Sequence, residues 1–167
     1  QQEGRWMLDG IDQLASHGIK LLCLSHVNNE VGSINDPTNI GLALKKESPE
    51  TRLFLDGVQA IGKIDLSSKI WNYVSGYSIS GHKIGGPKGI GVLIFNSKVG
   101  IEPLIHGGKQ QEGLRSGTLP TPLILGMAKA LELSTEQTFE AKEKFYILRK
   151  RLIEGLKNLE SKSPKIR

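Results

Sequence analysis

The chain has 167 residues, 38% of them apolar and 23% charged, enough for one domain with a buried core. No apolar run approaches the roughly 20 residues that a membrane-crossing helix needs, so no membrane partner is expected, and no secretory signal opens the chain. The net charge of +5 would suit nucleic-acid binding only if gathered for it, and four of the five excess charges fall in residues 129–167, which hold ten Lys/Arg against six Glu.

A single cysteine, Cys23, excludes an internal disulfide framework and fits a reducing compartment, so a cytoplasmic location is expected. The first predicted helix runs from about Met7 to His17 and stops at Gly18. Ile19 to Leu24 reads as a largely buried strand, with Cys23 one of its core residues rather than a nucleophile. Asp36-Pro37 looks like an N-cap followed by proline at the first helical position, opening a helix to about Glu47. Arg52 to Leu55 is a second strand and Tyr73 to Ile79 a third. Gly89 to Phe95 is a fourth, returning from the turn at Gly85-Gly86-Pro87. From Pro120 the pattern is helical, with a break expected near Gly126.

Ala141, Phe145, Leu148, Leu152, Leu156 and Leu159 follow at spacings of 4, 3, 4, 4 and 3. That is the apolar stripe of a helix whose basic face is solvated, so no nucleic-acid partner is expected. Strands alternating with helices predict an α/β fold, a three-layer sandwich around a mostly parallel sheet.

Three of the predicted strands end in polar residues: Ser25 to Glu30, then Asp56, then Ser80-Gly81-His82-Lys83. Open α/β sheets bind ligands beyond the carboxyl ends of their strands, so these groups are expected to meet. Gly57 to Lys63 also matches most of a phosphate-binding P-loop. The next position must carry a Ser or Thr hydroxyl for Mg²⁺ and here is Ile64, so nucleotide binding is rejected.

Lys83 follows a strand directly, with a hydroxyl and an imidazole before it and small residues after it. A lysine amine so placed can form a Schiff base with an aldehyde, the use that pyridoxal 5'-phosphate (PLP) enzymes make of lysine. PLP also needs an acid beside its pyridine nitrogen, and Asp56 is the candidate, because a carboxylate there favours the protonated ring. Gln59, three residues on, is the candidate for the phenolic oxygen, and Ser80 and His82 for the phosphate. Each has a bland counterpart. Asp56 could be only an N-cap, Gln59 a surface amide, and Asn29 and Glu30 caps of the turn at Gly32.

Four segments together resemble one family: His26-Val27-Asn28-Asn29-Glu30-Val31-Gly32, Leu55 to Lys63, Ser80 to Gly91, and Leu114-Arg115-Ser116-Gly117-Thr118-Leu119-Pro120. They are similar to those of cysteine desulfurases, in the class V aminotransferase group of fold-type I PLP enzymes. The resemblance spans roughly Ile19 to Gly126. It implies that residues 1–125 are part of the large PLP-binding domain and that 126–167 lead toward a small domain.

By this resemblance Lys83 is the Schiff-base lysine and Asp56 the pyridinium partner. Gln59 holds the phenolic oxygen, Ser80 and His82 the phosphate, and Asn29 lies near the cofactor ring and substrate carboxylate. Thr118 reaches the phosphate of a neighbouring subunit, which implies a homodimer. The implied reaction converts L-cysteine to L-alanine and leaves an enzyme persulfide. A sulfur-acceptor protein such as an iron–sulfur scaffold would then be a partner.

The chain departs from the pattern in Gly107-Gly108-Lys109-Gln110-Gln111-Glu112, where Lys109 stands at a usual glycine position and Gln111 at a usual glutamate. It opens without methionine. The family's ring-stacking histidine, persulfide cysteine and substrate-carboxylate arginine find no counterpart. An internal fragment, inactive alone, is therefore expected. A selenocysteine lyase, another class V enzyme, and a non-catalytic truncated scaffold are the alternative readings.

Overall fold

The computed structural model describes residues 10–162, so Met7 to Asp9 of the first predicted helix lie outside the described residues. Helix α1 (Ile11–Ser16) leads through Gly18, whose φ is +65°, into strand β1 (Leu21–Ser25). Helix α2 (Pro37–Glu47) begins as the sequence suggests, with the Asp36 carboxylate accepting the Thr38 N–H at 2.8 Å. Strands β2 (Arg52–Asp56), β3 (Val74–Ser80) and β4 (Gly91–Phe95) follow, then helices α3 (Thr121–Glu136) and α4 (Thr138–Lys162).

The sheet order is β1-β2-β3-β4. The first three strands are parallel, and β4 returns antiparallel to β3. The sequence-derived α/β class with a mostly parallel sheet is therefore the observed one. The core is built where strand alternation meets helix periodicity. Leu53 and Leu55 of β2 and Val74, Tyr77 and Ile79 of β3 pack with Ile40 and Leu44 of α2 and Met127 of α3. Each large apolar side chain buried this way contributes about 1.5–3 kcal/mol. Because Met127 belongs to that cluster, α3 crosses residue 125 as part of the same packing.

Close packing beside β3 depends on Gly57. The Tyr77 ring lies so near that a Cβ at position 57 would stand 1.8 Å from a ring carbon. Only hydrogen fits there.

Two expectations need correction. Cys23 is exposed rather than buried. It shares the outward face of β1 with Leu21, which is 55% exposed, while Leu22 and Leu24 turn to the core, and β1 is the sheet's edge. The helix does not break at Gly126. There α3 passes close to Pro87, whose ring would lie 3.2 Å from a Cβ at position 126, and the interruption comes at Gln137. Helix α4 carries the expected apolar stripe, and its Phe145, Leu148, Leu152, Leu156 and Leu159 are exposed. Near its start α4 is tied down by an ion pair from Lys142 to Asp65 and by the Thr138 hydroxyl on the Ser134 carbonyl.

Candidate functional site

Parallel pairing aligns the strand ends: Ser25 stands beside Asp56 and Asp56 beside Ser78. The polar groups following β1, β2 and β3 thus gather at one edge of the sheet, as the alternation of strands and helices leads one to expect.

At the end of β2, one carboxylate oxygen of Asp56, Oδ1, accepts the Val58 N–H at 2.9 Å and the Ser78 hydroxyl at 3.2 Å. A carboxylate fixed by two donors keeps a defined direction. At the end of β3, the Ser80 hydroxyl and His82 Nδ1 lie 2.9 Å apart, and either can donate. Lys83 ends a short 3₁₀ turn, Gly81–Lys83, and is exposed. The Ile84 and Gly86 N–H groups both donate to the Gly81 carbonyl, so the chain beyond Lys83 folds back tightly.

Gln59 sits in the turn after β2, where the Ala60 N–H donates to the Gly57 carbonyl at 2.9 Å. Its Oε1 accepts from Lys63 Nζ at 3.3 Å, and the same ammonium reaches the Lys83 carbonyl at 3.4 Å. Burial and the nearby Lys83 charge push the Lys63 amine below its ordinary range. Asn29 is exposed in the turn after β1. The turn is capped not by Asn29 or Glu30 but by Asn28, whose Oδ1 accepts the Glu30 and Val31 N–H groups at 2.9 and 3.0 Å.

Thr118 stands apart. It is exposed in the loop before α3, and among the described residues no hydrogen bond ties it to the strand-end groups. That loop is pinned by Ser116, whose hydroxyl donates to the Ile105 carbonyl at 2.8 Å, and by the Gly117 N–H on Gln110 Oε1 at 3.1 Å. Lys109 has a φ of −93° and sits there without needing a glycine, whereas Gln111 and Glu112 take left-handed φ values of 50° and 58°.

Sequence reasoning assigned no partner to four contributors. Ser78 orients Asp56, and Lys63 spans Gln59 and Lys83. The other two are a buried pair beneath the strand ends, His26 and Tyr77, with His26 Nδ1 2.8 Å from the Tyr77 hydroxyl. Spacing alone marked none of them, since each acts across two elements.

Residues 1–163 match the aminotransferase class-V family. The chain belongs to that family. Cysteine desulfurase IscS of Aeromonas hydrophila is 36% identical over 160 residues, covering 95% of this chain and 39% of that protein. A solved NifS-like protein superposes with a TM-score of 0.88 at 40% identity, covering 94% of this chain and 43% of that one. SspA, solved in complex with cysteine, has a TM-score of 0.70 at 36% identity over 78% of this chain and 37% of its own. This class-V chain thus spans about two fifths of the length of the curated relatives it matches. Among its described residues no helix is long and apolar enough to cross a membrane.

Proposed function

We propose that this chain carries the lysine-bearing part of a PLP-dependent cysteine desulfurase. The supporting observation is the gathering of Asp56, Gln59, Ser80, His82 and Lys83 at adjacent parallel strand ends, in a chain of the class-V family. Their donor set fits PLP: one fixed carboxylate, one amine, one amide, and a hydroxyl–imidazole pair.

Bound there, PLP would supply an aldehyde and an electron-withdrawing ring. The residues divide the remaining work. Lys83 offers the amine that holds the cofactor and afterwards moves protons at Nζ. Asp56, aimed by Val58 and Ser78, favours a proton on the pyridine nitrogen facing it. Ser80 and His82 hold the phosphate and Gln59 the phenolic oxygen. Asn29 lies toward the ring and substrate carboxylate, and Thr118 serves the phosphate of the second subunit of a homodimer.

The substrate is L-cysteine, supported by the relatives' names and by the cysteine bound to SspA. Its carbon–sulfur bond breaks, sulfur passes to an enzyme thiolate, and alanine leaves. Cys23, the chain's single cysteine, lies mid-strand rather than at the strand ends, so the accepting thiol lies outside residues 1–167. From it the sulfur goes to an acceptor such as an iron–sulfur scaffold. Helix α4 leads toward the small domain.

The test is borohydride reduction of the natural full-length protein with PLP, followed by peptide mapping. Label trapped on Lys83, and lost in Lys83→Ala, is the expected result. Label scattered over surface lysines, or none, overturns the reading. Alanine released from selenocysteine but not from cysteine would instead assign a selenocysteine lyase.

A further inference from the structure

Lys63 has no role in the reading above, although it touches both Gln59 and the Lys83 backbone. It follows Gln59 by four residues in a continuous run of turns, where the Lys63 and Ile64 N–H groups both donate to the Ala60 carbonyl at 3.1 Å. That spacing puts the two side chains on one side of the turn. From there Nζ reaches Gln59 Oε1 at 3.3 Å and the Lys83 carbonyl at 3.4 Å.

An ammonium only donates, whereas a glutamine amide has an accepting end and a donating end. Without a charged neighbour the Gln59 head could turn either way. With Lys63 beside it, only Oε1 can face the ammonium, because the reversed amide would set N–H groups against NH₃⁺. The Nε2 hydrogens are then the face left for the site, and an NH₂ group is what an anionic phenolic oxygen requires. The second contact, on the carbonyl of the residue that bears the amine, holds the ammonium in place. Both contacts are long for N–H···O bonds, so charge–dipole attraction outweighs alignment and a guanidinium can serve as well.

We propose that Lys63 is a positioning residue of the cofactor site, fixing Gln59 as a hydrogen-bond donor while its contact with the Lys83 carbonyl holds the ammonium in place. This rests on the cofactor reading above. A purely structural lysine would cost stability when removed without changing the orientation of Gln59. The amine sits on a half-exposed turn outside the core cluster, so its removal leaves the fold standing, which circular dichroism checks.

The experiment compares wild type, Lys63→Met, Lys63→Arg, Gln59→Ala and the Lys63→Met/Gln59→Ala double variant of the natural full-length protein. The Gln59 side-chain amide resonance is followed without cofactor, and the PLP dissociation constant is measured for each. Lys63→Met is expected to move the amide resonance and weaken PLP binding about tenfold, while Lys63→Arg keeps most of the affinity. In the Gln59→Ala background, Lys63→Met should change affinity by less than about threefold. An unmoved amide resonance, or an equal loss of affinity with and without Gln59, overturns the proposal. Should wild type bind no PLP while Lys63→Met still moves the resonance, the positioning of Gln59 by Lys63 stands and the cofactor reading falls.

Discussion

His26, just past the end of β1, and Tyr77, midway along β3, meet with Nδ1 2.8 Å from the hydroxyl and the two rings edge-on at 85°. His26 is 3% exposed and Tyr77 fully buried. Its ring packed over Gly57 and its hydroxyl on His26, Tyr77 ties the strand end that carries Asp56 to the end of β1. Burial, with the Asp56 charge added, holds the Tyr77 hydroxyl above its ordinary range, so it stays protonated. Replacing Tyr77 by phenylalanine leaves an imidazole nitrogen buried without its partner. The expected loss is about 1–3 kcal/mol in urea unfolding. The Tyr77→Phe/His26→Leu double variant should lose less than the sum of the two single changes, because the shared bond is then removed only once.

The same pair predicts a pH dependence. Burial lowers the His26 pKa from its ordinary 6.5, with the Asp36 carboxylate pulling weakly the other way. The unfolded chain therefore binds this proton more readily than the folded one. The stability involved is fully present above about pH 6.5 and is lost as pH falls below that value through the lower folded pKa. Urea midpoints should be flat from pH 8 to 7 and decline toward pH 5. His26→Gln, which cannot take up a proton there, should flatten that decline, and an unchanged slope in this variant would assign the acid sensitivity to other groups.

Much of this arrangement was legible beforehand. Asp36-Pro37 announced α2 through its cap, and Asp56, Ser80 and Lys83 could be placed at neighbouring strand ends because alternating strands and helices leave few topologies. Cys23 was misjudged because an apolar run does not reveal whether its strand lies at the sheet edge. Gly126 looked like a helix breaker because its close approach to Pro87 is a tertiary fact. Lys63 was weighed only as a P-loop lysine, since its two acceptors lie on separate turns. Tyr77 read as one more apolar strand residue, and nothing local tells that its hydroxyl is bound to His26.

Gln111 and Glu112 occupy left-handed backbone without the freedom of glycine. For residues with a Cβ this region costs roughly 1–2 kcal/mol each, partly offset by the entropy that glycine would lose. Gln111→Gly is therefore expected to raise stability by about 0.5–1 kcal/mol, read as a higher urea midpoint at unchanged slope. Lys109→Gly, at right-handed φ, should lower it. The reverse order would mean that the loop is held in this conformation by something other than its own backbone preference.

Ser78 and Asp56 pair across β3 and β2, so the hydroxyl meets the carboxylate by strand register alone. Oδ1 takes both hydrogen bonds, from Val58 and Ser78, and among the described residues Oδ2 takes none. The free oxygen is the one left for the pyridine nitrogen under the proposed function. Ser78→Ala removes one of two donors but leaves the charge, so the carboxylate still binds, less well aimed. PLP affinity should fall by about threefold to tenfold, matching the worth of one hydrogen bond to stability. Asp56→Ala removes the charge itself and should weaken binding well beyond that. Equal losses in the two variants would mean that the carboxylate depends on Ser78 for its position far more than a second donor implies. No loss in either would place the pyridine nitrogen elsewhere.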